Sequence, residues 1–477
     1  MQSTECRVQC AGYRVAATEP AALILLALLL LAGCPGPAHL PPTPGDGGTN
    51  GAGKPGDRPR DIPCDTVGCS PEKPSASGGT TSPESISGPA PAVEFRAAWV
   101  ARWDYRRAED VRRIIGELAR AGFNAVYFQV RGTADAYYRS RVAPWAAPLS
   151  GKLGRDPGWD PLQVAIDTAA AEGVELHAWV NACTAWKGSK PPGRSQPRHL
   201  LRSHPDWLVR GPDGKPRRGP GGYLFFNPAL PGFQKHLEAV VAELVSFYHL
   251  DGVHLDYIRY PAADTSHDRL SARLFRRARR QQADLTLAAW QRRELGRLVA
   301  RLTEIVHRAR PRAEVSAAVF GIWQNRWGWK NVTAGFHDFH QDSLDWADHG
   351  AIDTLVPMLY WPCSRPPGGR ADFLTLARHF AARRGRARLV AGLNVASGKA
   401  AELYRQVEIS RRLGFDGVAL FSYGLLREHG LLDKLPRRVF ARPALARPPA
   451  PAGTEVSLEI GRERAARMAK WTCSWWR

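Results

Sequence analysis

The chain is poor in lysine, methionine and cysteine. Of its 66 basic residues only 11 are Lys, and 3 of its 477 residues are Met. The 8 cysteines are scattered and contain no CxxC pair, so we predict no metal site built on cysteine. No block of basic residues alternates with aromatic side chains, so we predict no nucleic-acid partner despite a formal charge of +21.

Long apolar runs are also rare. The clearest, Ala21 to Leu31, is short for a membrane span and leads into Leu31-Ala32-Gly33-Cys34. This segment resembles the lipobox of bacterial lipoproteins, which implies cleavage before Cys34 and lipidation of its thiol. We therefore expect residues 1–33 to be a signal peptide and the mature protein to be lipid-anchored in the bacterial cell envelope, periplasmic or surface-exposed. A plain secretory signal without lipid is the alternative.

Two segments contain too few large apolar side chains to form a core. Residues 34–92 are rich in Pro, Gly, Ser and Thr, a composition typical of a disordered tether. Residues 441–477 return to low complexity and we predict a C-terminal tail there. The folded domain is therefore predicted over residues 93–440.

Within that domain, short apolar strands alternate with amphipathic helices. Eight strands are predicted: Phe95 to Trp103, Asn124 to Arg131, Val174 to Asn181, Gly252 to Ile258, Val315 to Phe320, Thr354 to Tyr360, Leu389 to Asn394 and Gly417 to Tyr423. Eight such units predict an α/β fold, a (β/α)8 TIM barrel with enlarged βα loops. A doubly wound open sheet is the competing fold, but no glycine-rich phosphate loop follows the first strand.

The fourth predicted strand ends on an acid. Gly252, His254 and Asp256 alternate with apolar residues, so they share one face, and Asp256 lies at the carboxyl end before Pro261. In a parallel barrel that end carries the chemistry. Asp256 is therefore the first catalytic candidate, and the alternative is a structural Asp that closes a loop.

The other predicted strands also end in polar or aromatic residues, which would meet on one rim of the barrel. The candidates for ligand binding on this rim are Asp104, Gln129, Arg131, Asn181, His254, Arg259, Trp323, Tyr360, Trp361 and Asn394. Aromatic rings beside carboxylates and amides suit a sugar, which presents C–H faces and hydroxyl edges together. We therefore predict a polysaccharide ligand.

Residues 96–423 carry a series of motifs in order. They are Phe128-Gln129-Val130-Arg131, Tyr138-Arg139-Ser140, Asp160-Pro161-Leu162, His177-Ala178-Trp179-Val180-Asn181, Phe226-Asn227-Pro228, the segment Asp251 to Pro261, Phe320-Gly321-Ile322-Trp323, Gln341-Asp342 and Pro357-Met358-Leu359-Tyr360-Trp361. In these motifs the chain resembles glycosyl-hydrolase-like family 10, formerly a domain of unknown function. The resemblance implies a TIM barrel that hydrolyses O-glycosidic bonds in envelope glycans, including peptidoglycan strands. Many relatives carry two consecutive acids after the fourth strand, whereas here Tyr257 follows Asp256.

A glycosidase normally uses two carboxyl groups, roughly 5 Å apart for retention or about 6.5 to 9.5 Å apart for inversion. We predict Asp256 as the general acid, with its proton retained through a partly apolar rim and through His254 or Tyr257. Asp342 is preferred as the second carboxylate, and Asp104 and Asp135 are the alternatives. Strand seven ends in Asn394, which leaves a substrate-assisted route open.

Two other interpretations stay open. His177, His254 and Asp256 could converge as metal ligands, although we predict no metal and no cofactor. A lipoprotein that binds glycan without cutting it would show the same aromatic rim and lack the paired acids. The predicted partners are a polysaccharide and the membrane that receives the lipid.

Overall fold

A computed structural model describes residues 92–363 and 369–448. The predicted signal peptide with Cys34, nearly all of the predicted tether and most of the predicted tail lie outside the described residues. In the described part of the chain, no helix is both long enough and apolar enough to cross a membrane.

Eight parallel strands form a closed barrel, which confirms the predicted fold. They are β1 (Phe95–Val100), β2 (Ala125–Arg131), β3 (Glu175–Asn181), β4 (Gly252–Asp256), β5 (Glu314–Phe320), β6 (Thr354–Met358), β7 (Arg388–Asn394) and β8 (Gly417–Phe421). Each strand pairs with the next along the chain, and β8 pairs with β1 to close the ring. The eight predicted strands are all present, with ends that differ by a few residues.

Helices surround the barrel because each places an apolar stripe on the strands. They are α1 (Ala108–Arg120), α2 (Pro161–Glu172), α3 (Pro231–Phe247), α4 (Leu287–Ala309), α5 (Ser343–Asp348), α6 (Phe373–Ala381), α7 (Ala400–Arg412) and α8 (Tyr423–Glu428). In α1 the buried residues Val111, Ile114, Ile115 and Leu118 recur at helical spacing. Helix α2 begins where the Asp160 side chain accepts the amide hydrogens of Leu162 and Gln163.

The loops after the carboxyl ends of the strands are enlarged, as predicted, and carry short elements of their own. These are the helices Ala147–Ser150, Leu200–Ser203, Arg269–Gln281 and Gly335–Asp338, the 3-10 turns Pro205–Trp207 and Pro220–Gly222, and the antiparallel strands Thr184–Trp186 and Leu224–Phe225. At the opposite end Ala92–Val93 pairs with Ala444–Leu445. The packed domain thus extends past residue 440, where we predicted its boundary.

The barrel interior is filled by large side chains. The Trp99 indole Nε1 donates to His254 Nε2 across the barrel at 3.0 Å, and the Tyr127 ring stacks on the His254 ring at 3.8 Å. Because Trp99 belongs to β1 and His254 to β4, the contact ties together strands that are not neighbours. This layer forms a solid floor beneath the rim at the carboxyl ends of the strands.

Gly417 at the start of β8 gives a sensitive test of the pairing between β8 and β1. A β carbon there would lie 1.9 Å from the Phe95 carbonyl oxygen and 2.7 Å from the Phe95 nitrogen. We expect Gly417→Ala to lower the free energy of unfolding by about 3 kcal/mol, because β1 and β8 must move apart. Chemical denaturation measures this, with Gly193→Ala as the matched control, since no atom lies within 4 Å of a β carbon at 193. Equal stability of the two variants would contradict the pairing.

Candidate active site

Asp256 is the last residue of β4 and points into the mouth of the barrel. Its Oδ2 accepts the Trp179 indole hydrogen at 3.2 Å, and its Oδ1 accepts the Tyr257 backbone amide at 2.6 Å. The residue is 8% exposed and its side chain 12%, so the carboxyl is held in a fixed orientation and is only slightly accessible.

Burial raises the pKa of the Asp256 carboxyl. The Arg259 guanidinium, the Tyr257 amide and the Trp179 indole act in the opposite direction, because each stabilises the ionised form. We predicted that a partly apolar rim together with His254 or Tyr257 would raise this pKa. Burial acts in the predicted direction, whereas the Tyr257 amide lowers the pKa and His254 is not among the groups that act on it.

Arg259 is the charged neighbour of Asp256. Its Nη1 lies 3.8 Å from Asp256 Oδ1, and its guanidinium packs over the rings of Tyr257 at 4.3 Å and Phe320 at 4.8 Å. Within the described residues its Nε and Nη1 have no hydrogen-bond partner. The side chain is 3% exposed, so its charge acts on Asp256 through a medium that contains little water.

Three other predicted residues lie at the mouth. Tyr360 is half-buried, and the charge of Asp256 adds to burial in raising the pKa of its hydroxyl, which places the two side chains close together. Trp361 and Asn394 are also half-buried. A β carbon at Gly321 would lie 3.0 Å from the Trp361 ring, so this indole covers the end of β5.

Five predicted ligand-binding residues are buried: Arg259, described above, and Gln129, Asn181, His254 and Arg131. Gln129 Nε2 donates to Asn181 Oδ1 at 3.1 Å, so these two side chains join the ends of β2 and β3. His254 is 0% exposed, and its Nδ1 pairs with Ser316 while its Nε2 pairs with Trp99. Arg131 is 1% exposed, and the register of β2 shifts between residues 129 and 131. Gln129, Asn181 and His254 therefore support the rim from within, whereas the buried Arg131 guanidinium has no hydrogen-bond partner among the described residues.

Asp342 lies among contacts that differ from those of Asp256. Asp342 Oδ1 accepts the Trp323 indole hydrogen at 3.0 Å, and the other charges near it are Asp345 and Arg292. Burial raises the pKa of Asp342. Neither Asp342 nor Asp104 has a partner in common with Asp256, so the pairing of Asp256 with Asp342 stays a prediction.

The other two candidates for a second carboxylate differ in exposure. Asp135 is 6% exposed and its Oδ1 accepts the amides of Gly132 and Thr133, which is a structural role in a turn. Asp104 follows β1, is half-buried, and accepts the Ala101 amide at 2.8 Å. Burial raises the pKa of Asp104 to about 7. Asp104 is thus a rim carboxyl that can exchange a proton near neutral pH.

The metal-site alternative finds no support among the residues that the structure describes, where no three His, Cys, Asp or Glu side chains converge on one point. His177 Nε2 instead lies 3.2 Å from Glu175 Oε2, while both His254 nitrogens are occupied within the barrel.

Sequence reasoning missed Trp179, the direct partner of Asp256 Oδ2. The signal was present, because Trp179 alternates with His177 and Asn181 and therefore faces the barrel interior. It also missed Arg102 and Tyr223, whose side chains meet at the rim. Tyr223 lies in a long loop, where no periodicity indicates what it contacts.

Comparison with known proteins shows which family the chain matches. The model of the family described as Glycosyl hydrolase-like 10 matches residues 94–399. The chain is 27% identical over 289 residues to Glycosyl hydrolase YngK of Bacillus subtilis (strain 168), covering 56% of this chain and 54% of that protein. It is 29% identical over 266 residues to Glycosyl hydrolase DigH of Escherichia coli (strain K12), covering 53% and 57%. The chain thus spans little more than half the length of these relatives.

Two solved structures share the fold at low sequence identity. The glycoside hydrolase domain of PgaB (BpsB) from Bordetella bronchiseptica has a TM-score of 0.52 at 16% identity, over 72% of this chain and 98% of that one. The catalytic domain of beta-amylase from Paenibacillus polymyxa has a TM-score of 0.54 at 12% identity, over 74% and 99%. With its closed parallel barrel and the family match over residues 94–399, the chain belongs to the glycosyl hydrolase-like 10 family.

Proposed function

We propose that this chain is an envelope-tethered glycoside hydrolase that cleaves O-glycosidic bonds in a cell-envelope polysaccharide, with peptidoglycan glycan strands as the substrate. The observation that carries the proposal is the position of Asp256, an oriented and partly exposed carboxyl at the carboxyl end of β4. Family membership supports hydrolysis. The lipobox-like segment ending at Cys34 supports tethering and lies outside the described residues.

The roles of the two rim carboxyls follow from the groups that lower each pKa against the effect of burial. Asp104 accepts one amide hydrogen, and its pKa of about 7 means that it holds a proton up to neutral pH. Asp256 accepts two N–H hydrogens and lies beside Arg259, all of which favour its ionised form. We therefore assign proton donation to Asp104 and the ionised role to Asp256, activating water or stabilising positive charge on the sugar. This reverses the acid role that we predicted for Asp256 from sequence.

The proposal is tested by incubating the full chain with purified glycan strands, intact sacculi and chitin oligomers, followed by mass analysis of the products. Release of soluble fragments supports hydrolysis. Tight binding without any product would instead favour a glycan-binding lipoprotein. This is the second candidate because, among the described residues, the charge that acts on Asp256 is that of Arg259 and no second carboxylate acts on it.

A pH prediction follows from Arg259. As the ionised partner, Asp256 must lose its proton, so activity rises with pH through its pKa, and it falls again near pH 7 as Asp104 loses the proton that it donates. Because Arg259 lowers the pKa of Asp256, Arg259→Gln should move the acidic limb of the pH–rate profile to higher pH and leave the alkaline limb in place. A shift of the alkaline limb alone would show that the roles are exchanged.

A further inference from the structure

Trp103 lies immediately before Asp104 on the rim and has an unusually exposed side chain. It is 38% exposed, and every other Trp in the described part of the chain is buried or half-buried. The Arg102 guanidinium packs over the indole ring, 5.1 Å from its centroid. A large aromatic face that remains in water beside a carboxyl of pKa about 7 is a surface on which an apolar ligand face gains by stacking.

Arg102 is itself held in place, so the indole rests on a fixed support. Arg102 Nη2 donates to the Tyr223 hydroxyl at 3.1 Å. A β carbon at Gly132 would lie 2.7 Å from Arg102 Nε, which shows how closely this side chain packs against the end of β2. A ligand that stacks on Trp103 therefore loses little free energy in ordering the protein side chains.

The same contacts lead from Trp103 to Asp256. The Tyr223 ring lies 5.7 Å from the Tyr257 ring, and the Tyr257 amide donates to Asp256 Oδ1. Lys187, an exposed residue, places its Nζ 5.3 Å from the Tyr223 ring centroid. Side-chain contacts thus connect Trp103, through Arg102 and Tyr223, to Tyr257, the residue that follows Asp256.

We infer that Trp103, Arg102 and Tyr223 form a subsite on the rim that binds one pyranose of a glycan chain. The C–H face of the sugar would lie on the Trp103 indole, and its hydroxyl edges would meet the hydrogen-bond donors of Arg102 and Lys187. The inference rests on the proposed function for the identity of the ligand, a glycan. It does not depend on cleavage.

The chain offers a matched control. Phe247 is 51% exposed and packs against an arginine, Arg141, at 5.5 Å, in the same kind of pair as Trp103 with Arg102. Phe247 ends α3 and precedes the start of β4, so it lies toward the opposite end of that strand from Asp256. Phe247→Ala removes an aromatic ring that is more exposed than Trp103 and leaves the rim intact.

The experiment measures equilibrium binding of purified glycan strands to full chains that carry Asp256→Asn to prevent cleavage. Adding Trp103→Ala should weaken binding of the strands about tenfold, because the sugar loses its stacking surface. Trp103→Phe should recover most of the loss, and Phe247→Ala should leave the affinity unchanged.

Equal binding of long strands with and without Trp103→Ala would overturn the subsite, as would a parent chain that binds no strand at all. If strand binding depends on Trp103 but the parent chain, which retains Asp256, releases no product, the subsite is supported and hydrolysis is rejected. Product release with a KM for long strands that Trp103→Ala does not alter would support hydrolysis and reject the subsite.

Discussion

Replacing Asp256 by Asn is expected to reduce turnover of glycan strands about 10²- to 10⁴-fold, the range typical of a group that acts directly in proton transfer. Asn keeps the shape of the side chain, and its carbonyl oxygen can still accept the Tyr257 amide that now bonds to Oδ1. It cannot ionise, so it neither activates water nor stabilises positive charge on the sugar. The measurement is kcat on purified strands, with product followed by mass.

Affinity provides the internal control for Asp256→Asn. Because the substitution removes charge and preserves shape, strand affinity should change little while turnover collapses. The loss of the carboxylate leaves Arg259 buried without its charged neighbour, so a modest fall in melting temperature is expected as well. Turnover equal to that of the parent, in a folded variant, would remove Asp256 from the mechanism.

The second large effect is expected from Asp104→Asn, and Asp342→Asn is its matched control. Both residues are half-buried rim carboxyls whose pKa is raised by burial. If Asp104 donates the proton, Asp104→Asn should lower kcat on glycan strands about 10²-fold or more and abolish the alkaline limb near pH 7. Asp342→Asn should leave both kcat and the alkaline limb unchanged, because the proposal gives Asp342 no part in proton transfer.

An activated substrate separates the proton donor from a merely structural residue. In an aryl glycoside whose phenol is acidic, the phenolate leaves without receiving a proton. Asp104→Asn should therefore hydrolyse this substrate nearly as fast as the parent does, while Asp256→Asn should remain slow. Loss of turnover in Asp342→Asn with full activity in Asp104→Asn would restore the pair that the sequence predicts. Full activity in both would point to a substrate-assisted route.

The buried polar residues beneath the rim show what could not be predicted from the sequence. Strand alternation placed Gln129, Asn181 and His254 correctly on the inward face, but all three are satisfied by other side chains and none is free to bind a ligand. Arg131 differs, because the register shift in β2 breaks the alternation that predicted its direction. Periodicity gives the direction of a side chain and says nothing about which atoms fill the space in front of it.

The amino-acid sequence by itself determined the eight strands, the surrounding helices and the position of Asp256 at the end of β4, because these depend on local apolar periodicity and on the common direction of parallel strands. Only the tertiary structure decided that burial raises the pKa of Asp104 to about 7, that Trp179 orients Asp256, and that Trp103 is left exposed. The physical reason is distance along the chain. Burial and charge at one rim position come from residues that the closed barrel brings together, such as Trp179 and Asp256, which are 77 positions apart.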